Sequence, residues 1–332
     1  MPIRSSNARA LAVASAVGVV IAVVVSIIVF AGLDAGTITR FTGLDNAIGL
    51  PSVAWSVIFF AIVLVFAVGQ LAGGRYPHGI HVAAIVVVSL GTLFQLAAVI
   101  LNFSWYTVVL ILVAVVTLYV TIRGCRASKG ADDAPQIPRD SRTWALGVFL
   151  ILAGIAGFLA AYSLSVDKVV TFLDPGAKQG CDYSIFVQCS ANLKSWQGSL
   201  FGFPNPLIGL GAFAVPLVVG ILILFGARFA RWFWVAFNAG VVFAILFVAF
   251  LIGTSIYVLH TLCPWCALVW TFTIPLFWTV SLYNLKSGNI RVSPRATRFF
   301  TSAYTWLPLI TLVTYVVVAA LFQANLNVLK YL

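Results

Sequence analysis

Charge is what this chain has least of. Of its 332 residues 8% are charged against 62% hydrophobic, and Glu is absent altogether. A soluble domain carries about a quarter charged residues, so a water-exposed globular surface is excluded. Strict apolar–polar alternation is missing as well, which rules out a barrel and leaves helices to satisfy backbone hydrogen bonds in lipid. What is present are continuous apolar runs of about the 20 residues that a bilayer requires. They fall near Ala10–Ala31, Val53–Leu71, Ile80–Leu101, Tyr106–Ile122, Trp144–Leu164, Pro206–Gly226, Trp232–Val258, Cys263–Leu282 and Ser302–Leu321. These predict an all-α, polytopic membrane protein of about nine transmembrane helices. The first run is too long for the core of a cleavable signal, and AGLDAG makes a poor cleavage site, so it is read as a span.

No Asp, Lys or Arg lies deep in any of these runs. A transporter whose cysteines merely staple loops together would need buried charges or broken helices near mid-depth, and this absence counts against it. The net charge of +11 raises the possibility of nucleic acid until its distribution is considered. With the N-terminus cytoplasmic, the inner segments hold Arg4, Arg9, Arg75, Arg123, Arg126, Lys129, Arg139, Arg142, Arg228, Arg231, Lys286, Arg291, Arg295 and Arg298. The outer ones hold Arg40, Lys168, Lys178, Lys194 and Lys330. The positive-inside rule explains this bias, so membrane lipids are the expected surroundings and nucleic acid need not be invoked. The same topology puts the C-terminus and Cys181, Cys189, Cys263 and Cys266 outside the cytoplasm, where disulfides persist, and leaves Cys125 inside.

The polar segment Arg123–Thr143 reads as a cytoplasmic linker. It divides the chain into an N-terminal four-helix block of unreadable role (1–122), the linker (123–143) and a C-terminal block (144–332). In the first block, Asp34 and Asp45 sit near the outer edge. His78 and His81 lie in the turn RYPHGIH, which reads as solvated, since no third ligand accompanies them. Between the fifth and sixth runs lies an outward-facing loop, Val166–Pro204, long enough to be functional or disordered.

That loop carries CDYSIFVQCS, with Cys181 and Cys189 eight apart, and the eighth run opens on CPWC, with Cys263 and Cys266 three apart. Pro264 suits the first turn of a helix, which puts Cys263 at or just before the helix start. There the unpaired N–H groups and dipole favour a thiolate; Cys266 lies one turn deeper. A zinc site, a structural crosslink and a redox centre compete. Seven residues between the loop cysteines is not a typical zinc knuckle, and no metal is expected. Structural bonding remains an alternative for the loop pair. A disulfide closing so small a loop as CxxC gains little from chain entropy, so that pair reads as redox. A quinone in the helix bundle is the acceptor that the apolar surroundings permit.

The loop CDYSIFVQCSANLKSW, the following LFGFPNPLIGLGAF and CPWCALVW resemble, in order and spacing, the vitamin K epoxide reductase family, whose bacterial members are quinone-linked disulfide-forming enzymes. The resemblance spans Trp144–Leu285 and implies a four-helix redox bundle, here with one additional helix. It implies that Cys181 exchanges with a thioredoxin-like partner, Cys189 relays to Cys263 and Cys266 reacts with the quinone, menaquinone or ubiquinone. It further implies quinone-site roles for Asn205 and Ser195. Trp270 stands where vertebrate members have Tyr; its indole N–H donates but cannot accept. Ser195 and Asn205 have plainer readings as helix caps, Trp265 and Trp270 as interfacial aromatics, His260 as a boundary residue, and Phe201 and Phe203 as pocket wall or core. The chain ends on NLNVLKYL without the thioredoxin-like domain of many bacterial relatives, so a separate extracytoplasmic thiol protein is expected. Reduction of a quinone or quinone epoxide by external thiols is the alternative role for the same residues.

Overall fold

The computed structural model describes residues 2–31, 52–71, 78–101, 105–128, 141–174, 176, 179–184, 186–227 and 229–326. Asp34 and Asp45, most of the linker, the tail beyond Leu326 and the side chains of His78 and Cys125 lie outside this description.

The described residues are mostly helical, with no strand among them. In order the helices are α1 (Pro2–Ala31), α2 (Ser52–Leu71), α3 (His78–Leu101), α4 (Trp105–Ser128), α5 (Ser141–Leu173), the short α6 (Ser190–Lys194), α7 (Asn205–Leu224), α8 (Arg231–Thr254), α9 (Pro264–Lys286), α10 (Pro294–Thr305) and α11 (Leu307–Leu326). A 3-10 turn, Trp196–Ser199, follows α6, and a π turn, Ser255–Leu259, prolongs α8. Five described helical stretches are long and apolar enough to cross a membrane: Thr143–Phe172, Asn205–Leu224, Arg231–Leu259, Pro264–Lys286 and Leu307–Leu326. Shorter apolar stretches occupy Arg9–Ala22, Trp55–Val68, His81–Ala97 and Val108–Arg123. Large apolar side chains such as Leu90, Leu152, Leu246 and Val316 point outward, as lipid-facing residues do. The protein is an all-α, multi-pass membrane protein.

The compact units do not follow chain order. One consists of Met1–Gly154 with Phe201–Ala230, the other of Ile155–Leu200 with Arg231–Leu332. In the first, Phe60, Leu110, Ala114 and Val88 form a buried core, and Gln95 Nε2 donates to Ser56 Oγ at 2.6 Å across α3 and α2. His81 is buried, its ring edge-on to Phe66 at 5.9 Å. It is therefore not part of a solvated turn: α3 begins at His78 and carries His81 inward. Gly154 brings α5 against α7 so closely that a Cβ would lie 2.7 Å from the backbone N of Leu217. Small residues that allow such approach drive helix association in lipid, where the hydrophobic effect does not.

In the second unit, α5 runs through Asp167 and Lys168 to Leu173, where the sequence predicts loop from Val166. Val169, Val170 and Phe172 keep the helix apolar, and the two charges find partners near its end. Lys168 Nζ donates to the carbonyl of Leu193 and lies 4.7 Å from the centre of the Phe172 ring. The last span also differs, beginning at Leu307 instead of Ser302. The residues before it form α10, capped by Ser293 Oγ accepting from the Ala296 N–H at 3.3 Å. Pro308, which suits a first turn, then starts α11 afresh. At the far end of α9, Asn284 is fully buried and donates to Val280 O at 3.0 Å, while Asn289 Nδ2 donates to Asn284 Oδ1 at 3.0 Å and Arg231 Nε to Asn289 O at 2.6 Å.

Replacing Gly154 by Val is expected to overpack the α5–α7 contact and cost about 1–3 kcal/mol, lowering the melting temperature of the purified protein. Gly240→Ala, where no heavy atom lies within 4 Å of the added carbon, serves as control and should leave it unchanged or slightly raised.

Candidate redox site

The four cysteines singled out in the sequence meet in the second unit. Pro264 opens α9 as expected, making Cys263 its N-cap, and Cys263 Sγ accepts the Cys266 N–H at 3.4 Å. The approach to this helix is tightly folded: after the π turn His260 adopts a left-handed φ of 52° and is exposed. Thr261 N–H donates to Ser255 O at 3.1 Å, and Ser255 Oγ donates to Thr261 O at 2.6 Å.

The loop is held against this turn by a parallel bridge between Val187 and Leu262. Leu262 N–H donates to Phe186 O at 2.7 Å and Gln188 N–H to Leu262 O at 3.2 Å. Two residues beyond Val187 and one beyond Leu262, Cys189 and Cys263 come together, with their sulfurs 3.2 Å apart. Cys181 and Cys189 are joined in a disulfide, whereas Cys263 and Cys266 are free thiols. All four are buried, packed among Leu164, Leu193, Ile256, Trp270 and Phe322. Cys181, expected as the outermost of the four, is 3% exposed, because the loop folds over it.

Asp182 organises that loop. Its carboxylate accepts the N–H of Cys189 at 2.8 Å, of Ser190 at 3.1 Å and of Gln179 at 3.3 Å, together with the Ser190 hydroxyl. Slight burial pushes its pKa up, but these hydrogen bonds outweigh that and hold it below the usual carboxylate value. Asp167, on α5, places Oδ2 3.5 Å from Cys181 Sγ, a position to receive the thiol proton once the pair is reduced. The ligand atoms of Asp167, Cys181 and Cys189 lie within 4.8 Å of one another. With the two sulfurs bonded to each other, this state offers an electrophilic disulfide rather than two thiolates.

At the free pair, the side-chain hydrogen bond from Cys266 is the main influence lowering the pKa of Cys263. Burial opposes it, the backbone N–H groups of Cys266 and Trp265 reinforce it, and the charge of Asp167 works against it. Cys263 is thus the sulfur disposed to become thiolate. Trp270, one turn beyond Cys266, is buried against Phe322 at 5.8 Å between ring centres, and its Nε1 has no hydrogen-bond partner among the described residues. Ser195 caps the 3-10 turn: its hydroxyl accepts the Gly198 N–H at 3.2 Å and donates to Asn192 O at 2.8 Å. Asn205, in the first unit, is buried as the first residue of α7, with Pro204 as N-cap.

Sequence reading passed over Asn192. It is buried on α6 and donates from Nδ2 to Cys266 Sγ at 3.6 Å. Its place three residues after Cys189, within NLKSW, is the one signal that could have drawn attention to it.

A disulfide in contact with a dithiol, at the start of an apolar helix, is equipped for thiol–disulfide exchange. Residues 148–281 match the model of the Vitamin K epoxide reductase family. The matched segment begins within α5, ends within α9 and includes all four cysteines; the N-terminal region matches no family. Comparison with curated proteins and with solved structures gives no match. The match points to a membrane oxidoreductase of a quinone-linked family.

Because the Asp182 pKa is depressed in the folded loop, its contribution is present above the ordinary value of about 3.9. It is lost as pH falls through the lower folded value. Reduction of the buried Cys181–Cys189 bond by a small water-soluble reductant, followed by alkylation, should accelerate several-fold in Asp182→Ala at pH 7. In the wild type, loop resistance to proteolysis should be flat above about pH 4 and fall below it, with the variant showing no such step.

Proposed function

We propose that this protein is a quinone-dependent thiol–disulfide oxidoreductase that drives disulfide-bond formation outside the cytoplasm. The observation that carries the reading is the 3.2 Å approach of Cys189 to Cys263, which puts an oxidised loop pair in contact with a reduced helix pair. A thiolate of a reduced thioredoxin-like protein attacks Cys181; the Cys181–Cys189 bond breaks and the electron pair leaves on Cys189. The partner's second thiol resolves the mixed disulfide, freeing Cys181. Burial of Cys181 means that segment 179–189 must open for this exchange, and exposed Tyr183 lies where the incoming protein would first touch.

Cys189 then attacks Cys263 of an oxidised Cys263–Cys266 bond, and Cys181 resolves the Cys189–Cys263 link. The loop disulfide is thereby restored and two electrons rest on the helix pair, the distribution of bonds seen in the structure. From Cys266 two electrons pass to a membrane quinone, menaquinone or ubiquinone, which takes up two protons and leaves as quinol while the Cys263–Cys266 bond re-forms. Trp270 suits that site, since a buried N–H without an acceptor is costly by roughly 1–3 kcal/mol and a quinone carbonyl would satisfy it. For Asn205 the support is its PNPLIG motif and its helix-start position; for Ser195, its hold on the segment after Cys189. The bias of arginine and lysine toward one set of connecting segments in the sequence supports a cytoplasmic N-terminus and extracytoplasmic cysteines. By sequence, residues 144–332 are read as the reductase-like domain and 1–122 as a block of their own, although Phe201–Ala230 shares a compact unit with Met1–Gly154.

Purified protein given quinone and a reduced thioredoxin-like protein should generate quinol. Cys266→Ala should abolish turnover, by roughly 10²-fold or more; retention of full activity would remove Cys266 from the pathway. Trp270→Phe should raise the KM for quinone by roughly three- to tenfold, the effect of one lost hydrogen bond, and an unchanged KM would exclude that contact. A reduced partner lacking its second, resolving cysteine should attack the wild-type Cys181–Cys189 bond and remain on Cys181 as a mixed disulfide identifiable by mass spectrometry.

A further inference from the structure

Two pairs of residues, each three apart, face one another in the second unit. Cys189 and Asn192 lie at the start of α6 and one turn along it; Cys263 and Cys266 are placed the same way on α9. Residues three apart share a helix face. Cys189 Sγ meets Cys263 Sγ at 3.2 Å, and Asn192 Nδ2 meets Cys266 Sγ at 3.6 Å. The first contact is the route of exchange; the second has no role in it so far.

From this matched spacing we infer that Asn192 is a catalytic residue: its amide N–H stabilises the Cys266 sulfur as that sulfur departs from Cys263. The inference rests on the exchange reading above. In the step concerned, the Cys189 thiolate forms a bond to Cys263, the Cys263–Cys266 bond breaks, and the electron pair leaves on Cys266. That negative charge appears on a buried atom, where an unpaired ion is expensive. A fixed amide donor in place before the charge develops lowers this cost without reorganisation.

The rest of the segment keeps the amide aimed. Lys168 Nζ donates to Leu193 O, the residue next to Asn192. The Ser195 hydroxyl donates to Asn192 O at 2.8 Å. Gly198 lies so close that a Cβ would stand 2.3 Å from Asn192 O, so the backbone carrying the amide is gripped on both sides. Asn192 itself is 7% exposed, and water cannot readily substitute for it. Once the helix pair is reduced, the Cys266 thiol donates toward Cys263 and accepts from Asn192, which stabilises the electron-bearing form over the disulfide.

The test equilibrates the full chain, without quinone or partner, against dithiothreitol at pH 8, with differential alkylation and mass spectrometry reading the two pairs separately. Asn192→Leu should shift the Cys263–Cys266 equilibrium toward disulfide by roughly two- to tenfold, the range for losing a hydrogen bond to a neutral group, and leave the Cys181–Cys189 equilibrium in place. Asn192→Asp, which keeps the shape but replaces the donor by an acceptor, should shift it the same way. If the helix pair keeps its wild-type ratio in Asn192→Asp, or if both pairs shift equally in either variant, the inference fails. This readout needs neither quinol formation nor a partner. Failure of the wild type to reduce quinone would therefore sink the functional reading while leaving the Asn192 result standing by itself.

Discussion

The redox site depends on one approach, that of Cys189 to Cys263, between segments 74 residues apart in sequence. Neither segment is rigid by itself: one is an irregular loop, the other the four-residue gap between a π turn and a helix. What fixes them is backbone pairing, through the Val187–Leu262 bridge and its two flanking hydrogen bonds. Each such bond contributes about 1 kcal/mol net. Breaking one in a buried place strands a donor and an acceptor at greater cost, so the pairing is harder to lose than its net worth suggests. The Asp182 carboxylate plays the same part for the loop's own N–H groups. The sulfurs are thus positioned by groups that carry no redox chemistry.

Helix α9 needs equal control, because it carries both members of the second pair, and lipid provides no hydrophobic force to press it against its neighbours. It is fixed by polar contacts along its length. Near the cysteines the Tyr315 hydroxyl donates to Thr271 O; further along, Trp278 Nε1 donates to Thr314 Oγ1 at 3.1 Å. At the far end Asn284 joins Asn238, Asn289 and, through it, Arg231. A helix tied at both ends holds the Cys263–Cys266 spacing.

Much of this was legible in the sequence, for identifiable reasons. Continuous apolar runs reveal spans because lipid demands length and composition together, and CPWC revealed a helix start because Pro tolerates the first turn. What escaped depends on partners distant in sequence. Asp167 and Lys168 read as loop because charge ends an apolar run, yet the Leu193 carbonyl and the Phe172 ring accommodate Lys168 inside the helix. Helix α10 was hidden because its polar face breaks the hydropathy that marked the spans, and the His81 imidazole reads as solvated until Phe66 is placed beside it. Asn192 carries no motif, and its importance comes from facing a cysteine in another helix. The burial of Cys181 was hidden by the same long-range folding of the loop.

The surroundings of Cys266 have a consistent polarity. On one side the Asn192 amide donates to its sulfur; one turn along its own helix the Trp270 indole presents a second N–H, buried and without an acceptor among the described residues. Phe322 of α11, a helix beyond the stretch matched by the family, lies against that indole and shields it from lipid and water. A donor without a matching acceptor is unfavourable in a resting core, so the persistence of the Trp270 N–H beside a reactive sulfur needs a compensating event. Thiol–disulfide exchange places negative charge on the sulfur, and reduction of a carbonyl compound places it on oxygen. A site walled by N–H donors is suited to both. It also explains why an indole can stand here: where charge arrives as an acceptor, a side chain that donates but cannot accept loses nothing.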